Sequence, residues 1–221
     1  MVKQERAART RQSLIRAAAE VFAEEGFAPA SLATISRRAG VSNGALHFHF
    51  ESKKALAQAV EDEAAECLRE ITKRVVASED DGGALQALVD ATHALMSRLA
   101  ADVVVRAGFE LSGDASRGSG SFLRRDWQRW IEEMLRRAEE EGRLAEGVSA
   151  QDAASAVVAA TVGFEVLGSA DRAWLSERKV TGLWDLLLPR LAEQENLVSV
   201  SSAPGTVCIT DHEVGEEDAS A

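Results

Sequence analysis

The chain has 221 residues, 46% of them hydrophobic and 28% charged, with two cysteines too few and too far apart for a disulfide scaffold or a zinc site. That is the make-up of a globular protein with room for a small domain and a larger one. A formal net charge of −11 argues against nucleic acid until it is divided: residues 1 to 60 hold nine Lys or Arg against five Asp or Glu, or +4, leaving −15 for the rest.

The start, MVKQERAARTRQ, is charged and lacks the apolar run of a leader, and no stretch reads as a membrane span. With reduced Cys67 and Cys208, this predicts a cytoplasmic protein with no membrane partner. Lys3, Arg6, Arg9 and Arg11 form a basic lead-in that either follows phosphate, reaches into a minor groove, or stays a solvated tail. A first helix runs to about Glu25 with Leu14, Ala18, Val21 and Phe22 on one face, and Gly26 ends it.

Residues 31 to 50, SLATISRRAGVSNGALHFHF, read as two short helices around a tight turn. Ser31 caps the first, whose Leu32, Ile35 and Ala39 form one stripe; Gly40 ends it, Val41 turns inward, and Ser42 caps the second. About twenty residues is the span of a helix-turn-helix, whose second helix enters a major groove by its N-terminal end. There Asn43 can pair with adenine, and Gly44 with Ala45 lets the backbone approach phosphate; His47 and Phe48 follow on the exposed side. Arg37 and Arg38 before, and Ser52, Lys53 and Lys54 after, supply cations and amides for phosphate. The alternative is an ordinary helical hairpin.

After Ser52, Leu56, Val60, Cys67, Leu68 and Ile71 run on to about Ala77 without a breaker, predicting a long connector helix from residue 53 that ends at SEDDGG, 78–83. Helical patterns continue in ALQALVDATHALMSRLAA and VVVRAGFEL, followed by a Gly/Ser loop at 112–121. Next, Trp127, Trp130, Ile131, Met134, Leu135 and Ala138 share one face, with Glu132–Arg136 and Glu133–Arg137 pairs on the other. That stripe is either core or pocket wall.

Ser149 begins a helix whose interior, Ala153 to Gly168, is apolar almost all round and is therefore expected to be buried on every side, between its own core and a partner subunit. Its Thr161 either bonds back to the carbonyl four residues earlier or serves a ligand. A last helix carries Leu183, Trp184, Leu187, Leu188 and Leu191, with Pro189 kinking its end; beside the small residues before it, this suggests a four-helix bundle between two copies. Residues 196–221 read as a mobile acidic tail.

The segment TRQSLIRAAAEVFAEEGFAPASLATISRRAGVSNGALHFHFESKKAL, residues 10 to 56, resembles without a gap the DNA-binding domain of the tetracycline-repressor (TetR) family. Asn43 stands where a lysine is frequent, and His47 where a tyrosine usually touches phosphate. The resemblance implies an all-α fold: a DNA-binding domain at 1–52, a ligand-binding and dimerisation domain at 53–195, and the tail. It implies a homodimer on an inverted-repeat duplex, with half-sites roughly 34 to 36 Å or a multiple apart, and contacts from Ser31, Arg38, Ser42, Asn43, Gly44, Ala45, His47, Phe48 and Lys53.

RAGFEL at 106–111, RRDWQRW and AATVGFE further resemble the γ-butyrolactone autoregulator receptors of actinomycetes. In those receptors the tryptophan and threonine matching Trp127 and Thr161 contact the lactone, which implies a small hydrophobic ligand with Trp130, Met134 and Phe164 around it. Related pseudo-receptors answer to antibiotics, so that alternative stays open. An enzyme finds no support: there is no G-x-S-x-G elbow or phosphate loop, His47 and His49 do not share a helix face, and His93 and His212 are isolated. No cofactor is expected. A helical adaptor for proteins alone leaves the basic helix-turn-helix unexplained.

Overall fold

The computed structural model describes residues 2–77, 83–113, 123–193, 197 and 199–205. Among these the chain is α-helical: α1 (Val2–Glu25), α2 (Leu32–Arg38), α3 (Asn43–His49), α4 (Lys53–Ala77), α5 (Gly83–Ala101), α6 (Val103–Gly113), α7 (Leu123–Glu140), α8 (Ala150–Ala170), a 3-10 turn (Arg172–Leu175) and α9 (Glu177–Leu191). The basic lead-in is not a tail. It forms the first turns of α1.

Local chemistry sets the first three helices. Ser31 Oγ accepts from Thr34 N–H at 3.0 Å, and Ser42 Oγ accepts from Ala45 N–H at 3.1 Å. Between them Gly40 adopts φ +68°, Gly40 N–H donates to Arg37 O and Val41 N–H to Ser36 O, closing α2 by a Schellman motif. Leu14, Ile15, Ile35 and Leu46 are fully buried and set the angle between α1, α2 and α3.

Two hydrophobic cores share α4. Leu56, Ala57, Ala59 and Val60 join the core of α1–α3, whereas Ala64, Leu68, Ile71 and Val75 join the core of α5, α7, α8 and α9. The sequence predicted α4 as a connector; α6 is a second one. Its Val104, Ala107 and Leu111 enter the first core, and Val105 and Phe109 the second. Gly108 makes this possible, since a Cβ there would stand 2.4 Å from Ala64 Cβ and 3.2 Å from Val60 O.

Several expectations are corrected. On α7, Trp127, Ile131, Met134, Leu135 and Ala138 are buried as predicted, and Arg137 acts on Glu133, but the Glu132–Arg136 pair is replaced. Arg136 reaches Glu133 and Glu140, Arg137 reaches Glu141, and Glu132 accepts from Gln128. Within one protomer α8 is buried on one side, where Ala153, Val157, Thr161 and Glu165 face inward, whereas Val166 is 48% and Leu167 45% exposed on the side the sequence assigned to a partner subunit. By length and composition α8 could also cross a membrane, contrary to expectation. Its inward carboxylate is instead paired with α7, described below.

α9 passes through Pro189 to Leu191. Trp184, Leu188 and Leu191, read from sequence as interface, pack into the protomer's own core, and Leu186 on the outer side is 76% exposed. The start of the tail is ordered against α5: Ser201 N–H donates to Gln86 Oε1 at 2.7 Å, His93 Nε2–H to Ser202 O at 2.9 Å, and Gly205 N–H to Asp90 Oδ1 at 2.9 Å. The remainder of that tail, and most of the loops at 78–83 and 112–121, lie outside the described residues.

Candidate nucleic-acid interface and ligand site

α3 presents Asn43, Gly44, His47 and Phe48 to the exterior, Phe48 being 82% exposed, while Leu46 anchors the helix beneath and Ala45 is half-buried. A Cβ added to Gly44 would meet only Ser42 Oγ, at 3.8 Å. The glycine therefore serves nothing inside the fold, and what it leaves open is the approach to the helix from outside. Ser31 and Ser42 are exposed, but both hydroxyls already cap helices.

Three polar residues placed at this interface from sequence have partners within the fold. Asn43 Oδ1 accepts from the buried Ser36 hydroxyl at 2.5 Å. This fixes the carboxamide and leaves its N–H₂ as the outward donor. Arg38 forms a two-pronged pair with Glu24 at 2.9 and 2.7 Å and lies 3.5 Å from Glu20. The pairing pulls the Glu24 carboxyl below its ordinary value and raises the guanidinium further.

Lys53 departs furthest from expectation. Its Nζ donates to the carbonyls of Phe27, Ala28 and Ala30 at 2.8, 2.9 and 2.8 Å and sits 4.6 Å from the centre of the Phe27 ring. An ammonium has three N–H donors, so none remains for phosphate. Lys53 staples the α1–α2 loop to α4. Arg37 and Lys54, which the sequence placed on the flanks but not among the contacts, are exposed beside α3 without such partners among the described residues, as are Arg6 and Arg9 on α1. Alternation was the available signal: adjacent lysines at a helix start cannot face the same way.

The second constellation lies between α7 and α8. Trp127 and Thr161 are each 1% exposed. The indole Nε1–H donates to Thr161 Oγ1 at 3.0 Å, and that hydroxyl donates back to Val157 O at 2.9 Å. Both readings of Thr161 thus apply to one atom: it bonds the carbonyl four residues earlier and also accepts from a neighbour. Trp130 stacks on Trp127 at 5.4 Å between ring centres, 14° from parallel. Met134 is buried one turn further along, and Phe164, half-buried on α8, lies 6.3 Å from the Trp174 ring.

Beside this cluster Arg124 Nε and Nη2 donate to Glu165 at 2.8 and 3.1 Å, with the carboxylate only 6% exposed. A lone carboxylate in an apolar helix needs such a partner, and Glu165 within AATVGFE was the signal for it in the sequence. Nearby, burial lifts the Glu110 carboxyl above its ordinary value, opposed by Arg106. Open cavities of about 440, 520 and 170 Å³ lie elsewhere, lined by other residues. Trp127 and Thr161 are brought together, but onto one another.

The sequence model of the bacterial regulatory proteins of the tetR family matches residues 14–60. The A-factor receptor protein of Streptomyces griseus is 34% identical over 193 residues, covering 87% of this chain and 67% of that protein. A crystal structure of a γ-butyrolactone receptor, described as an ArpA-like protein, superposes with a TM-score of 0.74 at 26% identity, over 86% of this chain and 92% of that one. CprB of Streptomyces coelicolor, solved in complex with its biological operator sequence, gives a TM-score of 0.72 at 26% identity, over 88% and 94%.

Proposed function

Because the chain belongs to the TetR family and is a DNA-binding regulator of that family, we propose that it acts as a homodimeric repressor released from an inverted-repeat operator by a γ-butyrolactone or butenolide. The observation carrying the DNA half is the open end of α3, where Gly44 fills no internal need and Asn43, His47 and Phe48 point outward. One such helix reads only a few base pairs, so two copies are required. Support for a second copy comes from the unpartnered apolar side of α8 at Val166 and Leu167 and from Leu186 on α9, surfaces that a monomer would leave in water.

The ligand half rests on Trp127 and Thr161 together with the likeness to the A-factor receptor protein. A lactone carbonyl accepting from the indole N–H replaces one neutral hydrogen bond by another, which is nearly balanced, so the favourable term is burial of the ligand's apolar body. Entry must part α7 from α8. α6, rooted in both cores, then carries the shift to α4 and changes the separation of the two reading helices. The ligand must prefer the released state strongly: inverting a 1:99 population takes about 5.5 kcal/mol of differential affinity.

A gel shift on inverted repeats from the protein's own upstream DNA, with and without a synthetic γ-butyrolactone, tests both halves. Binding reversed by the lactone is the expected result. Binding that persists keeps the regulator and overturns the ligand class; failure to bind any such repeat overturns the operator assignment.

A further inference from the structure

α5, the start of α9 and the ordered tail segment line an open cavity of about 440 Å³ that shares no residue with the Trp127 cluster. Its size lies within the range of small-molecule sites, roughly 300 to 1,000 Å³. Met96, Leu175, Val180 and Pro204 give it an apolar wall. Asp90, His93 and Glu177 stand on its polar side, and no lysine or arginine lines it among the described residues.

The hydrogen-bonding pattern of that polar side is one-sided. Asp90 Oδ1 already accepts from Gln86 Nε2–H at 2.8 Å and from Gly205 N–H at 2.9 Å, while Oδ2 has no partner among the described residues. His93 donates its Nε2–H to the Ser202 carbonyl, so its other nitrogen is an acceptor in the neutral ring. The Ser176 hydroxyl donates to Ala173 O. Glu177 adds a second carboxyl group with no partner among the described residues. The side chains of the cavity therefore offer mainly acceptors and formal negative charge, with the Ser97 hydroxyl as a donor, while the first turn of α9, which no side chain caps, brings backbone N–H groups to its edge.

We propose that this cavity is a second ligand site, distinct from the one at Trp127, and that it takes small molecules carrying a protonated amine on an apolar body. An ammonium supplies three N–H donors to Asp90 Oδ2, Glu177 and His93, and its charge is balanced by the two carboxylates. The hydrocarbon lies on Met96, Leu175 and Val180. Pro204 and Gly205 line one side, so binding also tightens the tail on α5. The site faces away from the surface offered to a second copy: Val180 is buried against α5, and Leu186, six residues on, is turned about 120° around α9.

Titration calorimetry of the full chain, without DNA, tests this with 4-phenylbutylamine and its neutral and anionic counterparts, 4-phenylbutanol and 4-phenylbutyrate. The amine is expected to bind at least tenfold more tightly than the alcohol, and the carboxylate not to bind. The shape-conserving double variant Asp90→Asn/Glu177→Gln should lose that preference, and Trp127→Phe should keep it. Glu177→Gln alone, at an exposed helix start, serves if the double variant does not fold, and should reduce the preference. Equal binding of amine and alcohol, no binding of the amine, an unchanged preference in the carboxamide variants, or loss of amine binding in Trp127→Phe would each overturn the assignment.

Discussion

On α3 the groups suited to a ligand stand outside the fold, whereas between α7 and α8 the equivalent groups are bonded to each other. Asn43 keeps a free N–H₂ although Ser36 holds its oxygen, and His47 and Phe48 touch little of the protein. Trp127 and Thr161 are sealed at 1% exposure. The difference teaches that a DNA-reading surface is preformed, and so can be altered without harm to the fold. The groups proposed for the ligand, closed on one another, are also part of the core, so altering them disturbs the fold as well.

The largest test of that contrast is Trp127→Ala. Loss of a buried indole should destabilise the chain by about 3 to 5 kcal/mol, with a lower melting temperature before any ligand effect is measured. An unchanged melting temperature would mean that Trp127 does not hold the core. Trp127→Phe is the sharper probe of ligand response, since it removes the N–H and retains most of the packing. Gly44→Glu should weaken operator binding by about 100-fold or more, roughly 3 kcal/mol, with melting temperature and sedimentation unchanged, because a carboxylate would face phosphate.

Adjacent lysines divide the same contrast within one turn of helix. Lys53→Met should cost about 1 to 3 kcal/mol of stability by leaving the carbonyls of the α1–α2 loop without their donor. Lys54→Ala should leave stability alone and reduce the salt dependence of DNA binding by about 0.9 in slope. Reversed outcomes would exchange their roles. The smallest effect concerns Glu63, whose carboxyl is pushed up by burial, with Gln12 donating to it at 2.9 Å. A raised folded-state value means the folded chain holds the proton longer, so ionisation costs stability as pH rises through it. Glu63→Gln should thus gain in melting temperature over the wild type near neutral pH, and the gain should shrink as pH falls through the carboxylate range.

Local chemistry made the reading head legible. Ser31, Gly40 and Ser42 specify caps and a turn from neighbours within a few residues, and these formed as expected. What Lys53, Arg38 and Asn43 bond to depends on chain 7 to 26 residues away, which spacing within one helix cannot reveal. Composition marked α8 as apolar almost all round but could not say which side packs inward, because an apolar residue on the outer side at Val166 or Leu167 looks the same in sequence as one in the core. Trp127 and Thr161 were singled out through resemblance, while their contact with one another came from the crossing of α7 and α8. The tail beyond residue 196 lacks periodicity, yet Ser201, Ser202 and Gly205 are held through backbone groups that carry no sequence signature.

α6 alternates its allegiance residue by residue: Val104, Ala107 and Leu111 belong to one core, Val105 and Phe109 to the other. Neither core can melt while the other keeps α6 in place, since withdrawing the helix from one strips both. Heating should therefore show one calorimetric transition whose enthalpy scales with the whole helical chain, rather than an early loss of the three small helices, and the DNA-reading end should owe its thermal endurance to the far domain.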